Sequence, residues 1–305
     1  MKLLYLLEGI RNPALDFIMG AVTHLGGEIV FMAAAIVVFW CVNKRCGYYM
    51  LTTGLAGTLI NQFLKIFFKV PRPWVKDPEF TIVESARADA GGYSFPSGHT
   101  QNAFAVLGAP GVWIKRRWSV VLGGVLVLLV ALSRMYLGVH TPLDVGVSLV
   151  IGVVLTLALC PIFRDMDEKP GRVAALFWAF IAAAALFVLY VSLADHGADV
   201  DLDQLAHAKE NAWMLLFCAT GLMIVWQVDK RFIRFPVKAP FWAQAVKVIV
   251  GLGGVMLIKA LLKAPLLELM NGHSIANGIR YFIMILFAGI VWPLTFKWFA
   301  KFKKD

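Results

Sequence analysis

The chain has 305 residues, 60% of them hydrophobic and only 16% charged, with a mean hydropathy of +0.74. Apolar runs recur along its whole length, which excludes an ordinary soluble domain and points to an all-α, polytopic transmembrane bundle. The net charge of +10 does not indicate a nucleic-acid partner, because the basic residues sit in short connections between apolar runs, where membrane topology accounts for them.

Residues 1–24 carry Glu8, Arg11 and Asp16 among apolar residues. Their apolar stretch is short, Glu8 interrupts it, and no small-residue cleavage site follows, so a signal peptide is not expected. The segment reads as an interfacial amphipathic helix, with a tenth span as the alternative. About nine spans are expected after it, at 28–42, 47–68, 101–114, 119–136, 142–162, 173–194, 213–228, 241–263 and 281–298. The four cysteines, Cys41, Cys46, Cys160 and Cys218, have neither metal-ligand spacing nor a disulfide framework.

The connections differ in charge. Lys44, Arg45, Lys115, Arg116, Arg117, Arg164, Lys169, Arg172, Lys230, Arg231, Arg234, Lys238, Lys297, Lys301, Lys303 and Lys304 fall on one side of the expected topology. The other side includes an acidic loop, 195–212, with Asp195, Asp199, Asp201, Asp203 and Glu210. The basic side is expected to be cytoplasmic, together with the C-terminus.

Three polar stretches then reach the opposite, outer surface. LKIFFKVPRPW, residues 64–74, places Lys65 and Arg72 seven apart, on one face if the helix runs that far. SFPSGHT, residues 94–100, offers Ser97 as a helix cap, Gly98 for close backbone approach and His99 in the first turn. Free N–H groups at such a helix start suit a phosphate. SRMYLGVHTPLD, residues 133–144, has Arg134 at the end of one span. It then has Thr141-Pro142-Leu143-Asp144 in the order of a capped helix start. His140 and Asp144 are four apart, close enough for the carboxylate to fix the imidazole tautomer. Each stretch alone also has a plain reading, as anchoring cations, a capped helix or a turn histidine. Together they put two histidines, a carboxylate and three cations on one side of the membrane, a set that answers phosphoryl transfer.

In residue type, spacing and order, Lys65-x6-Arg72-Pro73, Pro96-Ser97-Gly98-His99 and Ser133-Arg134-x5-His140-x3-Asp144 resemble the three-part signature of the type 2 phosphatidic acid phosphatase superfamily. The likeness covers about residues 28–162. It implies that His140 attacks phosphorus and forms a phosphohistidine, that Asp144 orients it, and that His99 protonates the leaving oxygen and then activates water. Lys65, Arg72, Ser97, Gly98 and Arg134 would hold the phosphate oxygens. No metal and no cofactor are implied. The expected partner is a lipid phosphate or diphosphate within the membrane lipids, and the membrane a bacterial inner or plasma membrane. A phosphotransferase with the same chemistry, or a phosphate-ligand binder or transporter, is the alternative.

By this reading residues 1–194 form the phosphatase core and 195–305 add three further C-terminal spans. His196, His207 and His273 read as solvated loop residues. Lys247 and Lys259, inside an apolar run, read as cations that snorkel to a span end.

Overall fold

The computed structural model describes residues 1–198 and 200–302. Asp199, Lys303 and Lys304, counted above among the topology charges, lie outside them. Among the described residues every regular element is a helix, and no strand occurs. By contact density the chain divides into two units, Met1–Ala35 with Tyr49–Pro161, and Ile36–Tyr48 with the chain from Ile162 onward.

The first unit begins with α1 (Lys2–Gly9) and α2 (Pro13–His24). Asn12 caps α2 by accepting from Leu15 N at 3.0 Å, and Pro13 takes the first helical position, where its missing N–H is not needed. α3 (Glu28–Val37) continues as a π turn, Val38–Val42, and α4 (Lys44–Phe68) follows. Beyond α4 come the one-turn α5 (Pro73–Lys76) and a long irregular segment. α6 (Gly98–Ala103) runs through a π turn, Phe104–Gly108, into α7 (Ala109–Trp113). α8 (Arg117–Tyr136) and α9 (Pro142–Arg164) complete the set.

α8 is the centre of this unit, with α1, α2, α6 and α7 packed against it. The crossing of α7 and α8 depends on two small residues: a Cβ on Gly111 would stand 2.7 Å from Ser119 O, and one on Gly123 2.7 Å from Leu107 O. Ala103, Phe104, Val127 and Val130 form a buried cluster there, closed by Val22, Leu107 and Leu149. A second cluster, Tyr136, Leu137 and Val139 with Ala86 and Ala90, seats the irregular segment on the end of α8. On α9, Val150, Val153, Val154 and Leu157 share one face and are exposed. In water such a stripe would be a liability, whereas in lipid it is the outer wall.

The second unit contains α10 (Pro170–Leu193), α11 (Leu202–Val228, continued by a π turn to Ile233), α12 (Phe241–Leu261), α13 (Lys263–Leu269), α14 (Ile275–Leu286) and α15 (Phe296–Ala300). α11 packs on α10 and α14. Gly221 and Gly278 let α11 and α14 approach: a Cβ on Gly221 would meet Ile285 at 2.9 Å, and one on Gly278 Trp213 O at 2.9 Å. Trp40 donates to Ala288 O at 2.8 Å and stacks edge-on against Phe296.

Several expectations change. Among the described residues six helices are long and apolar enough to cross a membrane, or seven if the bent pair Pro13–His24 and Glu28–Val42 is one span, so the expected nine is met only in part. α4 is long, but it carries Lys44, Arg45 and Lys65 with Thr52, Thr53, Thr58, Asn61 and Gln62, and Gly98–Trp113 is short. The acidic stretch 195–212 is not all loop. Asp201 caps α11 through Asp203 N and Gln204 N (3.0 and 3.2 Å), so helix begins at Leu202. His196 is buried, edge-on to Tyr190, rather than solvated, while His207 and His273 are exposed. Lys247 is fully buried; its Nζ reaches back to Val237 O at 3.3 Å and lies over the Phe296 ring.

Candidate active site

All eight sequence-selected residues fall in the first unit, at the C-terminal ends of α4 and α8 and the N-terminal ends of α6 and α9. The α4 helix does not carry Lys65 and Arg72 on one face. It ends at Phe68, Lys69 takes φ 47°, and Arg72 lies past the helix as the residue before α5. The two cations meet because the chain turns there. Lys65 Nζ donates to Tyr93 O at 2.6 Å, and Arg72 donates to Gly92 O and Gly91 O at 2.8 Å each. Three carbonyls of the irregular segment thus hold both side chains.

Ser97 caps α6. Its Oγ accepts from Thr100 Oγ1 at 3.0 Å and, more weakly, from Thr100 N at 3.4 Å. A Cβ on Gly98 would meet only Asn61 Oδ1, at 3.9 Å. Protein packing therefore does not require glycine at this position, and the room lies on the open side of the helix start. His99 is half-buried one residue on, within electrostatic reach of Arg134, Arg72, His24 and Lys65.

The start of α9 forms as the TPLD pattern predicts. Thr141 N donates to Asp144 Oδ2 at 2.7 Å, and Asp144 N donates to Thr141 Oγ1 at 3.2 Å. The same Oδ2 accepts from Ser94 Oγ at 2.5 Å and stands 3.5 Å from His140 Nδ1. Ser148 Oγ ties this helix start to the cap of α6, donating to Ser97 O at 2.9 Å and Asp144 O at 3.0 Å.

His140 is buried in the connection between α8 and α9. Its Nε2 lies 3.0 Å from Arg72 Nη1, which also donates to Val139 O at 2.9 Å. A guanidinium can only donate, so Nε2 accepts and the ring proton sits on Nδ1, toward Asp144. Burial, then the Arg72, Arg134 and Lys65 charges, push the imidazole well below its ordinary range and keep it neutral. Burial also lowers Arg72, to about 10, where it still carries its charge at neutral pH.

Arg134 is the most telling residue. Its side chain is completely buried. Nη1 donates to Thr23 Oγ1 at 2.9 Å, but Nε and Nη2 have no hydrogen-bond partner among the described residues. Buried guanidinium donors are not left empty without reason. They describe the space an oxyanion would fill.

Sequence reasoning missed four contributors. Thr23 positions Arg134. Gly26 touches the His99 carbonyl so closely that a Cβ would overlap it. Ser94 fixes Asp144. Asn61 lies beside Gly98 with its buried Nδ2 unpartnered. Only Asn61, one helical turn before Lys65, left a trace in the pattern. Among the described residues no group of three or more His, Cys, Asp or Glu is placed to hold a metal ion.

A helical bundle with membrane-spanning helices, buried cations and an imidazole–carboxylate pair fits an integral membrane enzyme acting on phosphate. Comparison with known proteins agrees. The PAP2 superfamily model matches residues 45–168, and that of the PAP2 superfamily phosphatase transmembrane extension matches 214–304. The chain is 34% identical to an undecaprenyl-diphosphatase of Bacillus subtilis, over 48% of this chain and 73% of that protein. It is 30% identical to phosphatidylglycerophosphatase B of the same organism, over 53% and 80%. It is 33% identical to a dihydrosphingosine 1-phosphate phosphatase of Schizosaccharomyces pombe, over 51% and 40%. The chain belongs to the PAP2 superfamily, as a membrane lipid phosphatase. No solved structure matches it significantly.

Proposed function

We propose that the protein hydrolyses a phosphate monoester or diphosphate of a membrane lipid through a phosphohistidine on His140, without a metal ion, from the non-cytoplasmic side. The observation that carries this reading is the buried Arg134 guanidinium, two of whose donors have no hydrogen-bond partner among the described residues. His140 Nε2 holds the lone pair that attacks phosphorus. As the N–P bond forms, the P–O bond to the lipid breaks, and the leaving oxygen takes a proton from His99. A dianionic phosphate offsets the surrounding cations and so favours the protonated His99 this step needs. His99 then accepts a proton from water, the hydroxide attacks phosphorus, and the N–P bond breaks to free phosphate and His140. Asp144 Oδ2, 3.5 Å from Nδ1, favours the ring proton on that nitrogen. Lys65, Arg72 and Arg134, with Ser97 and the Gly98 backbone, meet the charge on the equatorial oxygens.

Sidedness rests on the charge of the connections, since the site lies at the helix ends away from the basic ones. Residues 1–194 carry the chemistry in this proposal, and 195–305 add helices outside it. The relatives' names give the substrates to try. Phosphate release in detergent with EDTA is measured on undecaprenyl diphosphate, phosphatidylglycerol phosphate and dihydrosphingosine 1-phosphate, for the native protein and His140→Ala. Release that survives EDTA and disappears in the variant is expected. Release abolished by EDTA, or retained in the variant, refutes the mechanism.

A further inference from the structure

The second unit has a cavity of its own, about 500 Å³ in volume. Every lining residue belongs to that unit, and none is among the proposed catalytic or phosphate-binding residues. It lies where α4 starts and α11 ends. Its wall holds five cations, Lys44, Arg45, Lys230, Arg234 and Lys238, against two carboxylates, Asp167 and Asp229.

Two of the cations are already committed. Lys44 Nζ sits between both oxygens of Asp229, at 2.9 and 2.8 Å, with the Phe235 ring 3.5 Å beneath it. Arg45 pairs with Asp167 at 2.6 Å and donates to Arg164 O at 2.8 Å. Lys230, Arg234 and Lys238 form no ion pair among the described residues, and all three are exposed. Cations at helix ends are by themselves what membrane topology produces. The buried floor of the cavity is different. Tyr48 lines it, is 2% exposed, and its hydroxyl makes no hydrogen bond among the described residues. A buried hydroxyl without a partner requires an explanation. Met166 and Trp226, both buried, give the same cavity an apolar side.

We propose that this cavity is a second anion site, which takes a phosphate-type oxyanion presented by a lipid headgroup or as free inorganic phosphate. The Tyr48 hydroxyl donates to an oxygen of the ligand. Lys230, Arg234 and Lys238 neutralise it, while Lys44 and Arg45 stay fixed by their carboxylates. The apolar side accommodates the glycerol and first methylenes of a lipid, which favours the headgroup where both are present.

Binding to the purified full chain in detergent tests this, read by native mass spectrometry and by melting temperature. The probes are a short-chain phosphatidylglycerol, a short-chain phosphatidylcholine and inorganic phosphate. Phosphatidylglycerol binding that persists in Arg134→Met is expected. Lys230→Ala/Arg234→Ala should weaken it at least tenfold, and Tyr48→Phe several-fold. Phosphate binding with the same variant pattern and affinity assigns the site to the free ion, which the proposal includes. No binding of either anion, equal binding of phosphatidylcholine, or binding lost in Arg134→Met but kept in the cavity variants overturns it. Tyr48→Phe removes one oxygen and keeps the ring, so it still decides the matter if the double variant fails to fold.

Discussion

Replacing Arg134 with Met separates binding of phosphate from support of the fold. Arg134 is fully buried, and among the described residues it makes one side-chain hydrogen bond, to Thr23, and leaves Nε and Nη2 without partners. If both donors engage phosphate oxygens as charge-assisted hydrogen bonds, each contributes about 1.5–3 kcal/mol. Together they supply about 3–6 kcal/mol, and at about 1.36 kcal/mol per tenfold their loss lowers kcat/KM about 10²- to 10⁴-fold. The empty protein should respond in the opposite sense. A buried charge with no carboxylate at ion-pair distance destabilises the folded state, and flexible Met can occupy its volume. The melting temperature of the variant should therefore be no lower than that of the native protein. Added phosphate should raise the native value and leave the variant's unchanged. Arg134→Lys keeps the charge without the planar fork and should recover only part of the activity. Phosphate release from a lipid phosphate and thermal unfolding, each in the same detergent, give both quantities. Activity within tenfold of native, or a fall of several degrees in melting temperature, would refute the assignment of those donors to substrate.

Three further outcomes are expected. Ser94→Ala removes one of the hydrogen bonds to Asp144 Oδ2 and leaves the one from Thr141 N; kcat should fall about tenfold with KM unchanged, and a pure KM effect would contradict a positioning role. Gly26→Ala places a Cβ against the His99 carbonyl; it should cut kcat while its nearest glycine, Gly27→Ala, where the closest contact is 3.0 Å, has the smaller effect, and equal losses would show that the close approach is not what matters. His140 is held below the ordinary imidazole value of about 6.5. As pH falls through 6.5, the unfolded chain takes up a proton that folded His140 does not, so folding stability falls with pH in that window. His140→Asn should lose less melting temperature than the native protein between pH 7.5 and 5.5; an equal or larger loss would mean that the ring is not kept neutral.

The parts of the site that were legible in the sequence are those built from local geometry. Thr141 to Asp144 is a helix cap whose partners are three residues apart, so its hydrogen bonds follow from the pattern. Ser97 as the cap of α6 was legible for the same reason. Lys65 and Arg72 would share a helix face only if the helix ran that far; it ends at Phe68, and carbonyls 19 to 28 residues away hold both cations instead. Thr23 and Gly26 could not be found. They touch Arg134 and His99 across large sequence separations, and neither a threonine in an apolar helix nor a glycine in a turn announces such a contact. The span count is met only in part where hydropathy and architecture diverge: α4 carries Lys65, Asn61 and other polar residues, and that polar content makes it a poor membrane signal.

The bond between Arg72 and His140 Nε2 bears on the enzyme at rest. In the proposed mechanism, the lone pair that would attack phosphorus is already engaged by this guanidinium, which shields the idle imidazole from stray protons and electrophiles. An arriving oxyanion competes for that same guanidinium. Under that proposal, occupancy of the site and release of His140 Nε2 would become one event, and a molecule lacking a charged oxygen to draw Arg72 aside would leave Nε2 masked.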